Sequence, residues 1–123
     1  MKMRGLIPTA AACALFSLPA LAHHSFAMFD SEKTIERQGT VKEFQMINPH
    51  AWLQVMVTDA QGQTKEWSFE MRAPAGLARV GWTPKTVVPG DKVTVTAHPL
   101  KDGTEGGQFI HVILPNGQKM TER

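Results

Sequence analysis

Residues 50 to 70 read HAWLQVMVTDAQGQTKEWSFE, and the fold follows from how this stretch alternates. Leu53, Val55 and Val57 recur at every second position, with Trp52, Gln54 and Met56 between them. A period of two belongs to an extended strand with one face buried. Asp59 to Gln63, with Gly62 inside, breaks the pattern, and Thr64 to Glu70 resumes it with Trp67 and Phe69 on one side. Two alternating runs around a short glycine-bearing break predict a β-hairpin.

Outward from the hairpin the same logic repeats. Upstream, Thr34 to Met46 predicts a first strand, bulged or bent at Gly39, and Asn48-Pro49 starts the turn into the hairpin. Downstream, Pro74 to Val80 predicts about two turns of helix, with proline near its start and Gly81 past its end. Val88-Pro89-Gly90-Asp91 is a turn, and Val93, Val95 and Ala97 alternate with Lys92, Thr94 and Thr96 as a fourth strand. Asp102 to Gly107 is a glycine-rich loop, Phe109 to Leu114 a fifth strand, and Asn116-Gly117 a tight turn. Five strands with one short helix between the third and fourth is the order of the OB-fold, a small Greek-key barrel. The chain is therefore predicted to be mostly β, a five-stranded OB-like barrel, with other small barrels or sandwiches as the competing architectures.

The front of the chain reads differently. Lys2 and Arg4 precede an uncharged apolar or small stretch from Gly5 to Phe16, and Ala20-Leu21-Ala22 follows Pro19. That is the layout of a secretory signal with a cut after Ala22. The apolar core is shorter than the roughly 20 residues that span a bilayer, and no longer apolar stretch follows. Residues 1–22 are thus expected to be a signal peptide and 23–123 a single periplasmic barrel domain, large enough for one modest core. Cleavage removes Cys13, the one cysteine, so no intramolecular disulfide is expected. It also removes Lys2 and Arg4 from 13 basic side chains, leaving 11 against 11 acidic ones. A neutral domain without a basic cluster is a poor match to nucleic acid.

Five histidines are the main chemical signal: His23, His24, His50, His98 and His111. After the expected cut, His23 would offer both an α-amine and an imidazole, and His24 a second imidazole. Such nitrogen-rich sets suit Cu(II), and His50 or His98 from the barrel could complete a site. The plainer alternative is a polar chain terminus, because no His-Glu-x-x-His, cysteine pair or spaced acidic loop accompanies them. His111, grouped by alternation with Phe109 and Ile113, is expected to be structural.

A second candidate is the pair of loops that border the ligand face of an OB barrel. Asn48, His50 and Trp52 belong to the first, and Gly103 and Gly106 to the second. The prediction is that these loops converge, bringing His50 towards His98 and holding a small ligand or an envelope protein. Trp52, Trp67 and Trp82 could add a flat aromatic surface, although core packing is the commoner use of such residues. No nucleophile with a fitting context, paired carboxylate or phosphate loop is legible, so the domain reads as non-enzymatic.

His23-His24-Ser25-Phe26 with Phe29-Asp30, Gly39-Thr40-Val41, Asn48-Pro49-His50, Gly81-Trp82-Thr83, Pro89-Gly90-Asp91 and Gly103 together resemble a family of uncharacterised exported bacterial proteins, a domain of unknown function. The resemblance covers the expected mature chain and departs at Met46, where the pattern carries an aromatic. It implies an envelope location and supplies no activity or ligand.

Overall fold

The computed structural model describes residues 26–123. The predicted signal segment, its cut site, His23 and His24 lie outside that range. Among the described residues a short 3-10 turn (Phe26–Met28) precedes six strands and one α-helix: β1 (Ile35–Gln45), β2 (Trp52–Thr58), β3 (Thr64–Glu70), α1 (Pro74–Arg79), β4 (Lys92–Pro99), β5 (Gly106–Ile113) and β6 (Lys119–Thr121). β1 pairs antiparallel with β2 and β4, β2 with β3, and β4 with β5. A short parallel pairing of β3 with β5 closes the circle. This is the five-stranded OB-type barrel that the strand spacing predicts, with its helix between β3 and β4. The described residues contain no helix long and apolar enough to cross a membrane.

Alternation fills the barrel as expected. Leu53, Val55, Phe69, Val95, Ala97 and Val112 are fully buried, and each of them larger than alanine contributes about 1.5–3 kcal/mol relative to exposure. One end is plugged by the segment around α1. Leu77 is buried there, and Trp82 lies 5.5 Å from the ring of Phe44 and 5.7 Å, edge-on, from Phe109. The indole Nε1 donates to Thr121 O at 2.8 Å, so the plug buries no unpaired donor. Met46, the departure from the family pattern, packs half-buried against the same core.

Three details differ from the sequence reading. The irregularity in β1 falls between Val41 and Glu43 rather than at Gly39. Gly39 is needed for closeness instead, since a Cβ there would collide with the carbonyl oxygen of Met56. A second irregularity, between Thr96 and Ala97, breaks the alternation of β5, so Phe109 and Val112 point inward while His111 is half-buried. His111 therefore does not share a face with Phe109; burial, with some help from Lys119, holds its pKa below the ordinary histidine value. Finally, the Asn116-Gly117 turn leads into β6, a strand too short to be seen as a period.

Gly106 stands where β5 meets β3, and a Cβ on it would lie 2.7 Å from Ser68 O. Gly106→Val is expected to overpack the closure and cost about 1–3 kcal/mol, whereas Trp82→Ala should cost about 3–5 kcal/mol. Equilibrium urea unfolding of both variants reads these values. A Gly106→Val loss below about 0.5 kcal/mol, the range of neutral surface changes, would show that closure tolerates a side chain there.

Candidate functional site

Closure brings one outward-facing side chain from each barrel strand into a single row. Gln45 of β1 pairs with Trp52, Trp52 with Glu70, Glu70 with Gln108, and Gln108 with His98. Their chain neighbours Phe44, Leu53, Phe69, Phe109 and Ala97 belong to the interior, so alternation turns these five outward. With strands about 4.8 Å apart, the row extends roughly 20 Å around the barrel.

The β1–β2 loop folds onto this row. Ala51 donates to Arg72 O at 3.0 Å and accepts from Met71 N at 2.9 Å, which ties the end of the loop to the segment after β3. The Asn48-Pro49 peptide is cis, and Asn48 and Pro49 are exposed at the tip. His50 then reaches inward, its Nδ1 lying 2.5 Å from Glu70 Oε1. The Glu70 side chain is only 6% exposed and that of His50 28%. A carboxylate buried this far needs a partner, and His50 supplies one.

The chain end completes the site. Glu122 is buried, and its carboxylate accepts from Arg72 N at 2.9 Å, while Arg72 Nη1 donates to the Glu122 carbonyl at 2.9 Å. Burial raises the Glu122 carboxyl above the ordinary glutamate pKa, opposed by the Arg72 N–H and by the charges of Arg123, Arg72 and His50. A pocket of about 230 Å³ lies among His50, Glu70, Arg72, Gln108, Glu122 and Arg123. A second concavity, about 360 Å³, is lined by His98, Gln108, Thr121, Glu122 and Arg123. Gln108 and the chain end border both, so His50 and His98 face one continuous strip. His98 Nδ1 donates to Lys33 O at 2.7 Å, which puts the proton of the neutral ring on Nδ1 and the lone pair on Nε2.

The predicted residues divide. His50, Trp52 and His98 meet on the strip. Gly106 is buried against Ser68 O, and Gly103, with φ +76°, serves the exposed β4–β5 turn, so neither glycine lines the strip. The expectation that the two loops converge is corrected by register. The end of β1 at Gln45 adjoins the first loop, and its start at Ile35 adjoins the end of β4, which leads to the second. The two loops leave the barrel at opposite ends. The tryptophans form no common surface either: Trp52 faces outward, Trp67 lines the far end of the interior, and Trp82 is the plug. Among the described residues no three His, Cys, Asp or Glu side chains are placed to hold a metal ion.

Glu70, Arg72, Gln108 and Glu122 were not legible as site residues. Glu70 was within reach, because counting back along the hairpin from Thr58 and Thr64 sets Trp52 beside it. Gln108 and Glu122 arrive through non-local pairings that leave no local signal.

A family model described as a family of unknown function (DUF6152) matches residues 11–109. That span includes His50, Glu70, His98 and Gln108 and stops before Glu122. No curated protein matches the sequence. A crystal structure of the mitochondrial single-stranded DNA binding protein Rim1 from S. cerevisiae is similar to the chain at a TM-score of 0.48 and 15% identity, covering 67% of this chain and 93% of that one.

The buried Glu122 makes stability depend on pH. Its folded pKa lies above the unfolded value, so the folded state binds the extra proton. That contribution is fully present below the ordinary glutamate value of 4.5 and is lost as pH rises through the raised folded value. Glu122→Gln keeps an acceptor for Arg72 N and removes the titration. The stability of the native protein relative to this variant should therefore fall as pH rises above about 4.5, read by urea unfolding at a series of pH values. A difference that does not change with pH would show that Glu122 keeps its ordinary pKa.

Proposed function

The chain belongs to the family of unknown function DUF6152, and we propose that it is a periplasmic binding or accessory domain whose ligand surface is the strip from His50 and Glu70 through Gln108 to His98. The observation that carries this reading is the buried Glu70 carboxylate, held by His50 at the edge of a polar pocket on the outer face of β3. A few convergent polar groups are what fix a ligand's orientation in such a concavity. The composition of the strip favours a small polar ligand over nucleic acid. Glu70 and Glu122 stand beside Arg72 and Arg123, so no run of positive charge follows the strip for a phosphate backbone to track. Export rests on the signal-like residues 1–22.

Native and denaturing mass spectrometry of the protein purified from the periplasm tests both parts. The denatured mass should begin at His23, and the native mass should carry a non-covalent adduct that Glu70→Gln weakens. A precursor mass would remove the export claim. An adduct unchanged in both Glu70→Gln and His50→Ala would remove the strip as its site.

A second reading, Cu(II) held by the His23 amine and imidazole with His24 and a barrel histidine, is favoured by one feature. Asp30 N donates to Pro99 O at 2.8 Å and Lys101 N to Met28 O at 2.9 Å, so the chain is docked on the end of β4, beside His98, from Met28, four residues after His24. His98 Nδ1 bonded to a backbone carbonyl is the orientation seen for metal-binding imidazoles. One extra residue ahead of His23 should abolish tight Cu(II) binding by blocking the amine, read by calorimetry. Affinity unchanged by the extension would exclude the N-terminal site.

A further inference from the structure

The two ends of the barrel are finished differently. Trp82 and α1 plug one end. At the other, around the β2–β3 turn, Arg37 and Trp67 close it. Arg37 pairs with the buried Val95 and Trp67 with the buried Val55, so both project from the interior side of the sheet. The Arg37 Cζ lies 4.5 Å from the centre of the Trp67 ring. Val57, buried on the same side of β2, completes an apolar floor. Above it opens a pocket of about 410 Å³, within the roughly 300–1,000 Å³ of small-molecule sites.

The carboxylates at this end are engaged elsewhere. Glu36 precedes Arg37 in a regular stretch of β1 and so faces outward, where it pairs with Thr96 and its charge acts on His111. At the rim, Lys65 bonds to Glu105 at 3.0 Å. That bond and the Glu105 charge, with Asp59 adding its own through space, hold the Lys65 ammonium above the ordinary lysine pKa. Asp59 also accepts, at Oδ1, from the backbone N–H groups of Gln61 and Gln63, both at 2.9 Å. Arg37 gives one N–H, from Nη1, to the Glu36 carbonyl at 2.8 Å, and no ion pair among the described residues includes it.

A half-buried charge without a counter-charge is costly, and the indole compensates only one face of the guanidinium. Its remaining donors form a planar fork suited to a carboxylate. One unmatched positive charge over an apolar floor fits a ligand with one negative charge and an apolar body. A second negative charge on the ligand would meet Asp59 and Glu105, with Lys65 already taken.

We propose that this mouth of the barrel binds an apolar monocarboxylate, its carboxylate on the Arg37 fork and its body against Trp67 and Val57. The site is separate from the strip and shares no residue with it.

Titration of the ¹⁵N-labelled protein with 4-methylpentanoate tests the idea, with the Trp67 indole resonance as reporter, assigned by Trp67→Phe. Two controls divide the ligand: 4-methylpentan-1-ol keeps the body without the charge, and acetate keeps the charge without the body. 4-Methylpentanoate should give a saturable Trp67 shift at millimolar concentration or below, with the indole resonances of Trp52 on the strip and Trp82 in the plug unmoved. The alcohol should bind about tenfold or more weakly, for the loss of a hydrogen bond between charged groups. Acetate should also bind about tenfold or more weakly, for the loss of the buried methylenes and methyls. Arg37→Gln should weaken 4-methylpentanoate by about the same factor as removing its charge. No saturable Trp67 shift, equal affinity for the alcohol, or a shift confined to Trp52 overturns the proposal. Should Arg37→Gln fail to fold, the three probes on the native chain still decide it, because they change the ligand and leave the protein intact.

Discussion

β5 can close the barrel only because it approaches β3 and β4 with no side chain in the way. A Cβ on Gly106 would press on Ser68 O, and one on Gly107 would lie 2.6 Å from His98 O. Two consecutive glycines thus allow a parallel contact with β3 and an antiparallel contact with β4 from one short segment. Everything on the outer face downstream of Glu70 depends on that approach. Without it Gln108 would not stand between Glu70 and His98, and the row would end at β3. The closure also sets where β5 runs on, and β6 pairs with its far half, which delivers Thr121 to Trp82 and Glu122 to Arg72.

The strip is polar in a place where polarity is costly. Two carboxylates, Glu70 and Glu122, are buried on the same surface, and removing charge from water costs several kcal/mol per ion unless partners compensate. Each has a compensation built from a different part of the chain: the His50 ring for Glu70, and the Arg72 N–H with nearby cations for Glu122. The arrangement is held from both sides by backbone, since Ala51 ties the first loop to Arg72 and Arg72 ties itself to the chain end. Side chains fixed in this way keep their geometry before any ligand arrives, which lowers the ordering cost of binding.

The plugged end and the open end illustrate two solutions to one packing problem. A barrel interior must be filled to native density, and the ends lie closest to water. At the α1 end an apolar indole with its one donor satisfied does this. At the other, Trp67 supplies the apolar surface and the Arg37 guanidinium sits over its ring, so the interior terminates in a charged group.

Hydrophobic alternation is a local property, and it made most of the fold legible. Leu53, Val55 and Val57 announce a strand to any reader of the sequence, as do Val93, Val95 and Ala97. Pro74 and Gly81 likewise bracket a helix, and the order of these elements is that of the barrel. His50, Trp52 and His98 could be singled out because few residue types offer their chemistry. What the sequence could not carry was register across the closure and the course of the chain end. Arg72 and Glu122 are 50 residues apart, and Trp82 and Thr121 39 apart; no periodicity links positions that distant. The irregularities at Val41–Glu43 and Thr96–Ala97 each displace the facing of a strand by one residue, and with a period of two that reverses which side chains reach the core. The sequence by itself therefore determined the elements and their order. Only the tertiary structure decided which loops meet and which carboxylates are buried together, because both follow from pairings that exist after the barrel has closed.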